Sequence, residues 1–197
     1  MVTITDKSVL TPSNNPLCDW QMDTSPVQKV ETQPDQDLSE LVGKHIIYTY
    51  ANGWHYEYYF RNESTGEYRI ASGMVGGRWT THQKLMVANL GNGTFKVAWN
   101  EPTGTTCSLD INFRERWLHG MIVFPQWIAQ NPAGSVCHQN PHVDKMREQR
   151  DAGPIYPMFV DFNFAQITFV EDCGRDNDDV IKCAASELPD GYLDRRN

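Results

Sequence analysis

The chain has 197 residues, a mass of 22.5 kDa and a formal net charge of −8. That length holds one domain with a full core, and 40% apolar with 11% aromatic residues is too rich for a wholly disordered chain. The acidic balance argues against non-specific binding to nucleic acid or an anionic membrane, and no stretch approaches the ~20 apolar residues of a membrane helix.

Asp6 and Lys7 stand where a secretory leader would need an apolar run. The five cysteines (Cys18, Cys107, Cys137, Cys173 and Cys183) are odd in number and form no C-x-x-C pair. They read as reduced thiols in the cytosol, not as a disulfide framework or a zinc site.

Charge and aromatic residues divide the chain. Residues 1–40 carry a net −5, residues 171–197 a net −4, and the segment between them a net +1. Of the 22 aromatic residues, 20 lie in 41–170. Pro16, Pro26 and Pro34 punctuate a polar N-terminal stretch that lacks core formers. The expected organisation is a flexible arm over 1–40, a β-barrel domain over 41–185 and an irregular tail over 186–197, with a short helix over 177–187.

Within the body, short aromatic and β-branched runs alternate with Gly, Asn, Pro and Ser clusters. They predict strands at 45–51, 54–61, 67–72, 74–81, 84–90, 94–100, 105–112, 117–124 and 160–170. Nine strands joined by hairpin turns predict an antiparallel barrel or sandwich. Asn140 as N-cap and Pro141 at the first helical position predict a helix running through Val143 to Arg150.

Asn52-Gly53 marks the first hairpin. A two-residue turn would set Tyr56 on the face away from Tyr48 and Tyr50. A three-residue turn with Gly53 left-handed pairs Tyr48 with Tyr56 and Tyr50 with Trp54. The second register gathers Tyr48, Tyr50, Trp54, Tyr56 and Tyr58 on one face as an aromatic wall. It leaves Thr49, His55, Glu57 and Tyr59 on the other, which reads as a solvent face.

The run from His45 through Tyr48, Tyr50, Asn52-Gly53 and Trp54 to Tyr58 resembles the opening of the phenolic acid decarboxylases. So do Tyr68-Arg-Ile-Ala-Ser-Gly-Met-Val-Gly-Gly-Arg-Trp79, Trp99-Asn-Glu-Pro-Thr-Gly-Thr105, His119 to Trp127, Val136 to Asp144, and Phe164 to Phe169. The resemblance spans roughly 42–185. It implies a lipocalin-like antiparallel β-barrel with an interior pocket and one or two short peripheral helices. It also implies decarboxylation of 4-hydroxycinnamic acids without a cofactor or metal, and a homodimer. One departure stands out: Ala71 occupies a position where the family usually has His.

The chemistry explains the residue types. A vinyl carbanion is too unstable to leave behind when carbon dioxide departs, so the carbon bearing the carboxylate is protonated first. A para-phenolate supplies the electrons through the ring and becomes a quinone methide. The protein supplies an acid, clamps for the polar ends, and a dry pocket. The resemblance assigns the acid to Glu101. Arg78 fits a carboxylate clamp or an orienter of Glu101.

Tyr48 and Tyr50, two apart on a strand, point the same way and can share one ligand oxygen, either the carboxylate or the phenolate. Tyr56, Trp54, Ile70, Val75, Thr105, Cys107 and Ile122 are expected to line the substrate pocket. His138 and His142 have helical metal spacing but are split by Pro141, and no metal site is expected. Two other functions fit the same pocket: a lipocalin-like binding protein for phenolic ligands, and a hydratase or isomerase of another conjugated acid.

Overall fold

The computed structural model describes residues 30–197. Most of the expected N-terminal arm therefore lies outside the described residues. Nine antiparallel strands form one sheet: β1 (Lys44–Tyr50), β2 (His55–Asn62), β3 (Thr65–Ile70), β4 (Trp79–Lys84), β5 (Met86–Gly91), β6 (Thr94–Asn100), β7 (Thr106–Asn112), β8 (Trp117–Phe124) and β9 (Phe159–Asp172). Their order is β4-β3-β2-β1-β9-β8-β7-β6-β5. The two edge strands are consecutive in the chain and joined through Leu85, so the sheet curls into a nearly closed barrel of the expected lipocalin-like kind.

The first hairpin takes the three-residue turn. Tyr48 pairs with Tyr56, the Tyr50 amide donates to the Trp54 carbonyl at 2.9 Å, and Gly53 has φ +86°, a conformation natural only for glycine. Inward residues then alternate along β1–β3, with Ile46, Tyr48, Tyr50, Tyr56, Tyr58, Phe60, Tyr68 and Ile70 all buried. One end of the barrel is plugged by Leu41, Phe60, Phe95 and Phe113. The other end holds the pocket.

Several elements differ from expectation. Residues 74–78 are not strand; Gly73 (φ +109°) and Gly77 (φ +97°) bend this stretch into a turn-rich loop before Trp79. A short helix, α1 (Gln126–Gln130), was not signalled by any cap. The expected helix is present as α2 (Val143–Ala152), but Asn140 does not cap it. Its side chain is taken by β4, accepting from the Thr81 amide and donating to the Thr81 carbonyl. The segment 177–187 holds only a short 3-10 turn at Ala185–Glu187.

The largest difference lies outside the barrel. Glu57, Tyr59, Glu67 and Arg69, on the outward side of β2 and β3, are at most 1% exposed. Residues 173–197 cover them. The Tyr59 hydroxyl donates to the Gly174 carbonyl at 2.6 Å and accepts from the Asn177 amide. Arg69 donates to the Val180 carbonyl, and Ile181 is buried.

Between strands and cover runs a chain of charges. His45 Nε2 meets Glu57 at 2.6 Å and His45 Nδ1 meets Glu171 at 2.7 Å. Arg69 pairs with Glu57, and Arg61 pairs with Glu67 and Asp178. His45, Glu171 and Cys173 present ligand atoms within 4.8 Å of one another, yet both ring nitrogens of His45 are already engaged by carboxylates. The described cysteines are free thiols, and no helix of the described residues is long and apolar enough to cross a membrane.

Candidate active site

The pocket is walled by Tyr48, Tyr50, Tyr56, Tyr58, Tyr68 and Ile70 from β1–β3, by Trp99, Glu101, Thr105 and Cys107 around the β6–β7 turn, by Ile122 and Phe124 from β8, and by Val75. It is narrow, with little free space left between the rings. Two glycines make room for the rings: a Cβ at Gly120 would overlap the Tyr50 hydroxyl, and one at Gly66 would lie 2.6 Å from that of Tyr58.

Glu101 is 4% exposed. It sits in the β6–β7 turn, where Gly104, at φ +84°, returns its amide to the Glu101 carbonyl. Four donors converge on the carboxylate. Arg78 Nη1 lies 2.8 Å from Oε2, the Tyr68 hydroxyl 2.5 Å from Oε1, the Thr103 hydroxyl 3.2 Å from Oε2, and Trp99 Nε1 3.5 Å from Oε1. Arg78 is 1% exposed. Burial opposes its charge, but the Glu101 carboxylate together with Tyr68, Cys107 and Cys137 outweighs this and raises its pKa above the ordinary arginine value. Its other nitrogen donates to Gln139, which in turn donates to Gln83 on β4. Arg78 is thus fixed at the barrel seam from both sides.

The tyrosines stand on the same end. Tyr48, Tyr50 and Tyr56 contact one another with ring centroids 5.4–5.8 Å apart. Burial, reinforced by neighbouring acidic groups, raises the pKa of Tyr50, Tyr56, Tyr58 and Tyr68 well above the ordinary phenol value. Burial also raises that of Tyr48. These hydroxyls therefore keep their protons and act as hydrogen-bond donors, not bases. The Cys107 thiol is likewise pushed up by burial, which makes it a wall atom and a poor nucleophile.

Of the residues expected at the site, Glu101, Tyr48, Tyr50, Tyr56, Ile70, Val75, Thr105, Cys107 and Ile122 share this cavity. Arg78 lies just behind it, on Glu101. Trp54 has the expected parity but stands outside the wall, half-buried, edge-on to Phe124 with Gly73 beneath its ring. Ala71 is also outside the wall; its amide pairs with the His55 carbonyl. Tyr58, Tyr68, Trp99 and Phe124 complete the wall without having been singled out as substrate contacts. Tyr68 carried a signal: it pairs with Tyr58 across β2–β3, the same inward parity as the aromatic set.

The profile of the phenolic acid decarboxylase (PAD) family matches residues 38–195. The chain belongs to this family. A Bacillus subtilis protein, "Phenolic acid decarboxylase PadC", is 46% identical over 150 residues, covering 76% of this chain and 93% of that protein. A Vibrio cholerae protein named "Probable phenolic acid decarboxylase" is 45% identical over 156 residues, covering 79% and 90%. Membership in the phenolic acid decarboxylases makes the chain a carboxy-lyase. The family match reaches residue 195, so it includes the segment that covers the outer face of β1–β3.

Proposed function

We propose that this decarboxylase converts 4-hydroxycinnamic acids (p-coumaric, ferulic and caffeic) to 4-vinylphenols and carbon dioxide through a quinone methide. The observation that carries the reading is Glu101, a buried carboxyl held between Arg78 and Tyr68 in the wall of an aromatic pocket. As the phenol gives up its proton, its oxygen pushes electrons through the ring and Glu101 gives its own proton to the carbon bearing the substrate carboxylate. The C–C bond to the carboxylate then breaks, its electrons re-form the alkene and restore the aromatic ring, and carbon dioxide leaves. The product oxygen recovers its proton to give the 4-vinylphenol, and a proton from water restores Glu101.

Arg78 and Tyr68 hold Glu101 in place, a positioning role that preorganises the acid. Tyr48, Tyr50 and Tyr56 donate to a substrate oxygen. The apolar wall excludes water and so strengthens each of these interactions. Because the substrate's own ring stores the electrons, the scheme uses no cofactor and no metal. The reaction is assigned to the cytosol.

The working unit is proposed to be a homodimer. Phe162 and Phe164, on the outward side of β9, are 65% and 61% exposed. They flank His119 with ring centroids 4.3 and 4.7 Å away, and Met121 and Val160 extend the patch. An apolar face of this kind fits a second copy of the chain, and sedimentation at two concentrations tests it.

The reaction is tested with purified, metal-free protein and p-coumarate in an ultraviolet scan. Loss of the cinnamate band with appearance of 4-vinylphenol supports the scheme. A spectral shift without turnover overturns it in favour of a binding protein. Unsubstituted cinnamate should not react, because it lacks the phenolate.

A further inference from the structure

Asp161 is a buried carboxyl that the scheme above does not use. It lies on the inward side of β9 and is 5% exposed, between outward-facing Val160 and Phe162. Its ladder partner on β8 is Ile122, a pocket residue. Oδ1 accepts from Asn52 Nδ2 at 2.8 Å, at the tip of the β1–β2 turn, and from Asn163 Nδ2 at 2.7 Å. Oδ2 is buried and has no hydrogen-bond partner among the described residues. Leaving such an acceptor unmatched is costly.

The neighbouring tyrosines have the complementary deficit. The Tyr50 and Tyr56 hydroxyls are buried and unpartnered too. Tyr50 stands beside Tyr48 but makes no hydrogen bond of good geometry with it. Its hydroxyl rests against Gly120, whose ladder partner is Asn163, two residues along β9 from Asp161. On this side of the barrel, then, one acceptor lacks a donor and two donors lack acceptors. A hydroxyl group meets both needs. A carboxylate does not: it only accepts, and it would face the charge of Asp161.

β9 is the middle strand of the nine, so it faces the β4–β5 seam, near which Arg78 precedes β4 and Glu101 follows β6. We propose that Asp161 binds the substrate's phenolic hydroxyl and thereby sets its orientation. The bound phenol donates to Asp161 Oδ2 and accepts from Tyr50 and Tyr56; as it ionises, its proton passes to Asp161 Oδ2, so the phenolate faces a neutral carboxyl. The carboxylate end points to Arg78, and the carbon that takes the proton lies beside Glu101. This rests on the decarboxylase reading and decides between the two orientations that the tyrosine pair allows.

The test measures binding of two saturated analogues that cannot decarboxylate, 3-(4-hydroxyphenyl)propanoate and 3-(4-methoxyphenyl)propanoate. Asp161→Asn leaves an acceptor for Asn52 and Asn163 but replaces the free acceptor with a donor. Calorimetry on the wild type should show at least about tenfold preference for the hydroxyl ligand. In Asp161→Asn that ratio should fall at least about fivefold, because the new donor suits the methoxy oxygen and no longer accepts from the phenol. Asp161→Val should lose the preference in the same direction, and circular dichroism with a melting curve establishes that each variant is folded.

An unchanged ratio in folded Asp161→Asn overturns the proposal. Wild-type protein that still makes 4-vinylphenol would then leave the decarboxylase reading standing. Wild-type protein that makes none overturns both.

Discussion

Strands β1–β3 have two faces, both buried, and they are built from different materials. The inner face is a run of aromatic rings, with Tyr48, Tyr50, Tyr56, Tyr58 and Tyr68 packed against Trp99. The outer face of the same backbone is a lattice of polar and charged side chains: His45, Glu57, Arg61, Glu67 and Arg69 under residues 173–197. Inside, several hydroxyls are left without partners, which suits a surface that must receive a polar ligand. Outside, Arg61 and Arg69 are paired with Glu67 and Glu57 and reach the cover, although Glu67 Oε2 and Arg69 Nη1 are buried without a hydrogen-bond partner. The inner face thus presents neutral hydroxyls to a cavity, and the outer face presents charged side chains to one another and to the cover.

That contrast can be broken by experiments with opposite expected readouts. Glu101→Gln should produce the largest effect, lowering kcat by about 10²–10⁴-fold in a progress curve of vinylphenol formation. A variant as active as wild type would remove the inner face from the chemistry. Glu57→Gln removes the charge between His45 and Arg69 on the outer face. It should cost about 3 kcal/mol in urea unfolding, with kcat of the folded variant close to wild type. A collapse of kcat at full folding would show that the two faces act as one.

Tyr59→Phe strips partners from the Gly174 carbonyl and the Asn177 amide and should cost about 1–3 kcal/mol of stability, again without changing turnover. Tyr48→Phe and Tyr50→Phe should do the reverse. Each should lower kcat/KM by the equivalent of about 1 kcal/mol with little change in melting temperature. In the proposed scheme both donate to one ligand oxygen, so the double variant should lose less than the sum.

The inner face was legible in the sequence and the outer face was not. Inner residues announce themselves by period two; Asn52-Gly53 marks the turn, and of its two registers the one that gathers the aromatics aligns Tyr48 with Tyr56. On the outer side, Glu57, Arg61, Glu67 and Arg69 alternate as solvent-facing residues do. Nothing local says that a segment more than a hundred residues later lies over them. That segment is acidic and poor in aromatic residues, so it lacks the apolar stripe that marks a docking element. It is held by ion pairs, by backbone acceptors such as the Val180 carbonyl, and by Arg195 stacked on Tyr192 and Phe169.

Trp54 was misplaced for a different reason. Parity gives the side of a strand but not the height along the barrel, and Trp54 precedes the first residue of β2, outside the wall. Asp161 was missed because a single acid on an otherwise aromatic strand carries no periodic signal. Only the burial of its free oxygen sets it apart.

The place of β1 in the sheet has a consequence for how the chain comes to be folded. The first strand is flanked by β2, a few residues away, and by β9, the last strand, with the Lys44 and Asp172 side chains joined across 128 positions of sequence. During synthesis one edge of β1 therefore stays unpaired, along with the rings it carries, until nearly the whole chain has left the ribosome. Such long-range pairing slows folding and exposes an aggregation-prone edge in the meantime. Truncations that end before residue 159 should consequently accumulate as insoluble protein even though they retain eight of the nine strands.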